Sequence, residues 1–236
     1  LQKELDKINI LYSGSGPTAC ANTWDKGLTK KILDLNKINT PNSIEIDQFT
    51  KEISEAGLHS SIFDPLRPFD SIFLKPKEDG SSVDIFKIFD DNSLRQAYKK
   101  CLNPNRGFLF QEFIKGKELT VTVIDNVCFP PIEIITNNEF YDYEAKYISN
   151  DTLHIEADLN QNEIKEIKEI SLKAFKSLGC KGWARVDLFQ DTDKNFYIIE
   201  INTVPGMTSH SNVPKSGSLI NLSYSDVVQR IIHASL

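Results

Sequence analysis

The sequence predicts an α+β fold built on antiparallel strands, and three kinds of stretch carry that prediction. First, residues 185–189 (Arg-Val-Asp-Leu-Phe) and 196–202 (Phe-Tyr-Ile-Ile-Glu-Ile-Asn) are apolar runs rich in β-branched or aromatic residues. The polar cluster 190–195 between them makes the pair a β-hairpin. Second, 160–178 is an amphipathic helix with Ile164, Ile167, Leu172, Phe175 and Leu178 on one face, stopped by Gly179. A further helix over 225–234 buries Val227, Val228, Ile231 and Ile232. Third, the short apolar runs 71–76, 108–114 and 119–123 have strand composition and turn residues at their ends.

The remaining elements follow in chain order. Residues 1–10 alternate apolar and charged side chains loosely at helical spacing, and 10–12 is a strand-like run ending in the turn 13–17. The Gly-Ser-Gly of that turn lacks both the Gly-x-Gly-x-x-Gly spacing and a P-loop lysine, so it reads as a linker. Residues 18–35 read as one helix after Pro17, with Leu28, Ile32 and Leu33 as its apolar stripe. Pro41 ends that region, a short strand covers 43–46, and 48–57 is a helix. Pro65 and Pro68 mark an irregular loop over 58–70. Residues 86–89 form a strand, and 93–101 a helix capped near Asp91 or Asn92. The run 127–135 is a strand that Pro130 and Pro131 confine to an edge or a bulge. The aromatic and charged cluster 140–147 has no regular period and reads as a loop.

Bulk properties exclude several classes. At 236 residues, 40% hydrophobic and 25% charged, the chain is long enough to bury a core. Its net charge of −6, with Lys and Arg scattered, argues against a nucleic-acid partner. Cys20, Cys101, Cys128 and Cys180 lie far apart with no Cys-x-x-Cys pair, which suits free thiols of a reducing compartment. No apolar run reaches the ~20 residues of a membrane span, and the charged first residues do not suit a signal peptide, so the expected location is the cytoplasm. The first residue is Leu1 and the one methionine is Met207, so the sequence is expected to begin inside a longer product.

Chemistry concentrates in the hairpin and in one earlier loop. Alternation puts Arg185 and Asp187 on one face of the first strand, and Glu200 and Asn202 on one face of the second. Two carboxylates and an amide carbonyl are the oxygen ligands that a hard cation shares with phosphates, Mg2+ above all. The alternative from spacing alone is an ordinary cross-strand ion pair on a solvated face. The strand ends in Val-Pro-Gly-Met-Thr-Ser-His-Ser, where a Gly206 N–H beside Arg185 would make an anion site. His210, between two serines, reads as a structural histidine at a helix start rather than a general base. Earlier, Lys75 ends a strand and is followed by Gly80-Ser81-Ser82, small residues whose backbone N–H groups can approach a phosphate. Read by themselves, Lys26 and Glu118 are a surface helix lysine and a solvated strand-end charge.

The run 179–211, with Gly-Cys-Lys-Gly-Trp-Ala-Arg-Val-Asp and then Glu-Ile-Asn-Thr-Val-Pro-Gly-Met-Thr-Ser-His-Ser, resembles the C-terminal signature of D-alanine–D-alanine ligases in the ATP-grasp superfamily. Lys-Pro-x-x-x-Gly-Ser-Ser-Val at 75–83 and Tyr-Asp-Tyr-Glu-Ala-Lys-Tyr at 141–147 are similar to further motifs of that family, in the same order. The resemblance implies an ATP-grasp fold, two α+β subdomains clamping ATP between antiparallel sheets. Residues 1–16 would be the linker from an absent N-terminal domain, 17–113 the central subdomain, and 114–236 the C-terminal subdomain with the metal and catalytic site.

The implied activity is ATP-dependent joining of two D-alanines through an acyl phosphate for peptidoglycan, with ATP and two Mg2+ ions as cofactors and Mn2+ as the alternative ion. The alternative activity is an ATP–Mg2+-binding fragment without ligation, since the family draws a glutamate and a histidine of its first D-alanine site from the N-terminal domain. Dimers are common among such ligases. By match, Lys26 and Lys75 would contact the ATP phosphates, Glu112, Phe113 and Ile114 would form the adenine hinge, and Glu118 would accept from the ribose hydroxyls. Ser81 and Ser82 would close on the nucleotide, and Lys146 would face the γ-phosphate. Asp187, Glu200 and Asn202 would hold the metals. Arg185 and Gly206 would stabilise the oxyanion, with Ser81 and Tyr147 beside the reacting groups, while Ser211, Lys146 and Asn212 would border the second D-alanine. Two positions depart from the pattern: Asp84 stands where glycine is usual and would repel a triphosphate if it pointed inward, and Asn212 stands where leucine is common.

Overall fold

In the computed structural model, residues 1–80, 83–136 and 152–235 are described. Their strands form two antiparallel sheets. The smaller contains β1 (Ser43–Ile46), β2 (Ile72–Pro76), β3 (Phe86–Ile88) and β4 (Phe108–Glu112), in the order β1-β4-β2-β3. The larger contains β5 (Gly116–Ile124), β6 (Val127–Cys128), β7 (Ile132–Ile135), β8 (Leu153–Glu156), β9 (Trp183–Asp191) and β10 (Phe196–Asn202). Its order is β10-β9-β5-β7-β8, with β6 returning on β5. Helices α1 (Gln2–Lys7), α2 (Pro17–Trp24), α3 (Lys26–Leu35), α4 (Lys51–Ala56), α5 (Asp91–Lys100), α6 (Gln161–Ser177), α7 (Asn212–Ser218) and α8 (Tyr224–His233) complete the described elements, with a 3-10 turn at Ser61–Leu66.

Each sheet has its own core. In the smaller, Phe49 and Phe63 meet Phe110 edge to face at 5.8 and 4.9 Å between centroids, a geometry aromatic quadrupoles favour. Phe63 and Leu66 reach this core from the 3-10 turn, so the region read as irregular is a packing element. In the larger sheet, Leu119, Val121, Val186, Leu188, Ile198 and Ile201 face Ile167, Ala174 and Phe175 of α6. Ala19 of α2 and Leu33 of α3 join the same core. β5 pairs with β9 from Gly116↔Asp191 to Ile124↔Trp183. Gly116 is required there, because a Cβ would lie 1.9 Å from the Gln190 carbonyl oxygen.

Several expectations change. Residues 10–12 are not a strand: among the described residues no neighbour supplies a ladder, Leu11 is 81% exposed, and the Tyr12 hydroxyl donates to Asp6 instead. The helix expected over 18–35 is two helices. Asp25 takes extended backbone angles, caps α3 by accepting from Leu28 N at 3.0 Å, and bridges to Glu78. The cap of α5 is Asp90, one residue earlier than expected, in a reciprocal box with Ser93. In α6 the buried stripe is Glu163, Ile167, Ser171, Ala174 and Phe175, with Ile164 and Leu172 half-buried beside it. In α8 only Val227 and Ile231 of the four expected residues are buried, since Val228 is half-buried and Ile232 is 49% exposed. The strand β8, absent from the sequence reading, pairs with β7. No helix among the described residues is long and apolar enough to cross a membrane.

The start of α6 sets a pH dependence. Asn160 Oδ1 accepts from Asn162 N and Glu163 N, while Glu163 returns a carboxylate oxygen to Asn160 N at 2.8 Å and accepts from Gln190 Nε2 at 3.0 Å. The Asn160 N–H, aided by Gln190 and Lys194 against burial, holds the Glu163 carboxyl below the usual carboxylate range. A depressed folded-state pKa contributes stability above the unfolded value of about 4.3, lost as pH falls through the folded one. Glu163→Gln is therefore expected to lower the thermal midpoint at about pH 7, and the difference is expected to shrink as the pH falls below about 4. Melting curves of both proteins across that range check it.

Candidate functional site

The site begins with an irregularity in the hairpin. β9 alternates regularly: Val186 and Leu188 face the core, while Arg185, Asp187 and Phe189 face away from it. β10 does not, because Ile198 pairs with Leu188 but Glu200 pairs with Asp187, leaving Ile199 as an extra residue. This β-bulge reverses the phase of the strand. Phe196 and Ile198 point inward before it, and Ile201 does so after it. Without the bulge, Glu200 and Asn202 would share the buried face of Phe196 and Ile198. With it, they stand beside Asp187 and Arg185.

Asp187 is the hub of the group. Its Oδ1 accepts from Arg185 Nε at 2.8 Å and from Thr120 Oγ1 at 2.6 Å. Its Oδ2 accepts from Arg185 NH2 and Asn202 Nδ2, each at 2.8 Å. Asn202 Nδ2 also reaches Glu200 Oε1 at 3.3 Å. The guanidinium is thus clamped bidentately along one strand, the form of pairing with the best-defined geometry. Two carboxylates and an amide within mutual hydrogen-bond reach match the all-oxygen donor set of a hard divalent cation. These residues fit such an ion, with an amide in the place of a third carboxylate.

This group lies in a cleft of about 1240 Å³ lined from both sheets. Its walls include Lys26, Lys75, Glu112, Phe113, Ile114, Glu118, Arg185, Asp187, Glu200, Asn202, Gly206, Ser211 and Asn212. Those are all of the sequence-predicted site residues that fall in the described regions. Ser81, Ser82, Lys146 and Tyr147 lie outside the described residues.

Opposite the hairpin, Lys75 near the end of β2 is 6% exposed. Lys26, the first residue of α3, donates from Nζ to the Asp79 carbonyl at 2.6 Å. At the hinge between β4 and β5, Glu112 is held by Asn42 through a side-chain hydrogen bond, and Phe113 N donates to Ser71 O at 3.1 Å. The Phe113 ring meets Phe73 edge-on at 5.5 Å and lies 4.9 Å under the Lys87 ammonium. At the other end of the cleft, Ser211 precedes α7 without capping it by side chain. Its Oγ accepts from Thr208 N at 3.0 Å and lies 2.9 Å from Thr208 Oγ1. His210 is exposed at the cleft margin.

Four contributors were not singled out from sequence. Thr120 holds Asp187 from the neighbouring strand, and Lys87 covers Phe113. His154 on β8 and Lys215 on α7 line the cleft beside Asn212. Burial and the Lys215 ammonium, with a smaller push from Arg185 and against the Asn212 side chain, depress the His154 imidazole below its usual range. Burial likewise lowers Lys215. Alternation along β5, which turns Thr120 to the face opposite Leu119 and Val121, was the available signal for the threonine. Nothing in the local sequence marks His154.

Asp84 does not point inward. It is 7% exposed in the left-handed backbone region at φ 55°, where glycine is at ease and Asp is among the tolerated residues. Its carboxylate accepts from Leu102 N at 2.8 Å, Asn103 N at 3.3 Å and Arg106 NH2 at 2.7 Å, away from the cleft.

Residues 68–233 match the family model described as "D-ala D-ala ligase C-terminus". All of the chain aligns with 76% of the D-alanine–D-alanine ligase of Haemophilus ducreyi at 34% identity, and 98% of it with 71% of the Marinomonas sp. ligase at 36%. Among solved structures, that of the Bacillus anthracis D-alanine–D-alanine ligase complexed with ATP superposes with a TM-score of 0.81 at 28% identity. It covers 99% of this chain and 73% of its own length is matched.

Thr120→Val removes the shortest hydrogen bond to Asp187 at almost constant volume. Loss of such a supporting partner is expected to weaken binding of Mn2+ by about tenfold, with a stability loss of about 1 kcal/mol. Electron paramagnetic resonance titration of Mn2+ and a denaturant curve measure the two effects separately.

Proposed function

The chain belongs to the D-alanine–D-alanine ligase family, matching its C-terminal part, and from that premise we propose that it binds ATP with Mg2+ in the cleft and joins two D-alanines in the cytoplasm for peptidoglycan. The observation that carries this reading is the convergence of Arg185, Asp187, Glu200 and Asn202 on one wall of a cleft whose opposite wall presents Lys75 and Lys26. An array of cations facing a carboxylate set suits a polyphosphate and its metal.

In this reading the hinge 112–114 meets the adenine and Glu118 accepts from the ribose hydroxyls, a task that suits a carboxylate's two oxygens. Lys75 and Lys26 offset the negative charge of the phosphates. Asp187, Glu200 and Asn202 would hold Mg2+, which when bound supplies charge neutralisation between the phosphates. The γ-phosphoryl group passes from ATP to the carboxylate of the first D-alanine, and ADP is the leaving group. The second D-alanine, its ammonium deprotonated to the amine, attacks the acyl-phosphate carbon, and inorganic phosphate departs as the peptide bond forms and the nitrogen releases its second proton to solvent. Arg185 and the Gly206 N–H would stabilise the oxyanion that develops, and loss of one such donor typically costs ~3 kcal/mol of barrier. Ser211, Asn212 and Lys215 border the position of the second amino acid.

Calorimetric titration of the chain with ATP and Mg2+, with phosphate release measured in the same preparation on addition of D-alanine, tests the reading. Binding with turnover is the expected result. Binding without turnover would assign this chain the ATP–Mg2+ function alone, and absence of binding would overturn the reading. Within it, Lys75→Gln is expected to raise the ATP dissociation constant about tenfold or more, because it removes a buried charge facing the phosphates.

A further inference from the structure

Arg106 belongs to none of the motifs and lines no part of the cleft. It lies in the turn before β4, its side chain 23% exposed, with its guanidinium 5.6 Å from the centre of the Phe108 ring. Its two terminal nitrogens reach in different directions. NH1 pairs with Asp79, and NH2 pairs with Asp84 at 2.7 Å. Those two acids flank Gly80 and Val83, both of which line the cleft, as does Asp79 itself. Asp79 is further tied to Gly80 N through Oδ1 at 2.8 Å, and its carbonyl receives Lys26 Nζ. Although burial opposes it, the Arg106 guanidinium, with the Gly80 N–H, holds the Asp79 carboxyl below the usual range. One cation therefore pairs with two carboxylates next to a site for a polyanion.

We propose that Arg106 is a positioning residue for the phosphate end of the cleft: by pairing with Asp79 and Asp84 it draws both carboxylates away from the bound polyphosphate and steadies the carbonyl against which Lys26 is held. Asp84 and Arg106 form a compensated pair, the acid being tolerated beside the triphosphate because the guanidinium neutralises it. Uncompensated, the two acids would oppose a ligand in proportion to its charge, since like charges in a partly desolvated cleft repel. This inference rests on ATP being the ligand of the cleft, and the test separates the two.

The measurement is equilibrium binding of ATP, ADP and adenosine, with Mg2+, to the unaltered chain, to Arg106→Gln and to the double variant Arg106→Gln, Asp84→Asn. Arg106→Gln is expected to weaken ATP about tenfold, ADP less, and adenosine not at all. The double variant, which restores the original net charge of the cluster, is expected to recover most of the loss. Equal weakening of all three ligands would make Arg106 a general structural residue and overturn the proposal, as would unchanged ATP binding. If Arg106→Gln does not fold, Asp84→Asn alone carries the test. With one acid removed, ATP should bind about two- to threefold tighter and adenosine the same, and unchanged ATP affinity would refute the charge compensation. Failure of the unaltered chain to bind ATP would overturn the function and this inference together, whereas normal binding with insensitive variants would overturn the inference alone.

Discussion

The clamp between Arg185 and Asp187 is the interaction on which the site depends, and its partners across the hairpin reach it because β10 carries one residue too many. Opposite charges two positions apart on a strand face the same way, so β9 alone places the pair. The partners Glu200 and Asn202 reach it only because the bulge at Ile199 inverts the phase of β10 after two inward-facing residues. A regular hairpin would have buried a carboxylate and an amide under α6, at a cost the core could not offset. The bulge thus lets one strand serve a hydrophobic core at its start and a polar site at its end.

Much of this was legible in the sequence, and the failures are local. The hairpin, the helix over α6 and the shared face of Arg185 and Asp187 follow from period, turn composition and residue type. The bulge was not legible, because Ile199 looks like any other strand residue and its irregularity is a property of pairing with Leu188 and Asp187. The break between α2 and α3 was hidden for a similar reason: Asp25 leaves the helix to cap the next one and to bridge to Glu78, a tertiary contact that overrides local helical preference. Asp84 shows the converse case. Its departure from the glycine pattern reads from sequence as an electrostatic fault, and only Arg106, distant in the chain, shows why it is tolerated.

The cleft mixes charges of both signs, with Asp79, Glu112, Glu118, Asp187 and Glu200 lining it together with four cations. The chain carries a net charge of −6, yet Lys26, Lys75, Arg185 and Lys215 all face the cleft. The acids there are of two kinds. Asp79 is paired with Arg106, which lies outside the cleft lining. Asp187, by contrast, is paired with a guanidinium that is itself part of the site, and its two oxygens accept four hydrogen bonds there. Net charge therefore says little about the ligand, while the pairing of each individual carboxylate says a good deal.

The cleft also needs its two walls held in register, and α3 does this. Leu33, 1% exposed, anchors the helix in the core of the larger sheet. Its other end is fastened to the smaller sheet and its loop: Lys26 N donates to Lys77 O at 2.9 Å, and Lys31 pairs with Glu45 of β1 at 3.0 Å. Gly27 permits the approach, because a Cβ there would lie 2.8 Å from the Glu45 carboxylate. Lys26 is therefore carried on an element bonded to both sheets, and its ammonium is set by the larger core while its contact at Asp79 belongs to the smaller sheet's loop. A lysine on the surface of a helix fixed to only one sheet would follow that sheet alone. On α3 its position reports the spacing of the two, on which the proposed binding of a nucleotide between them would depend.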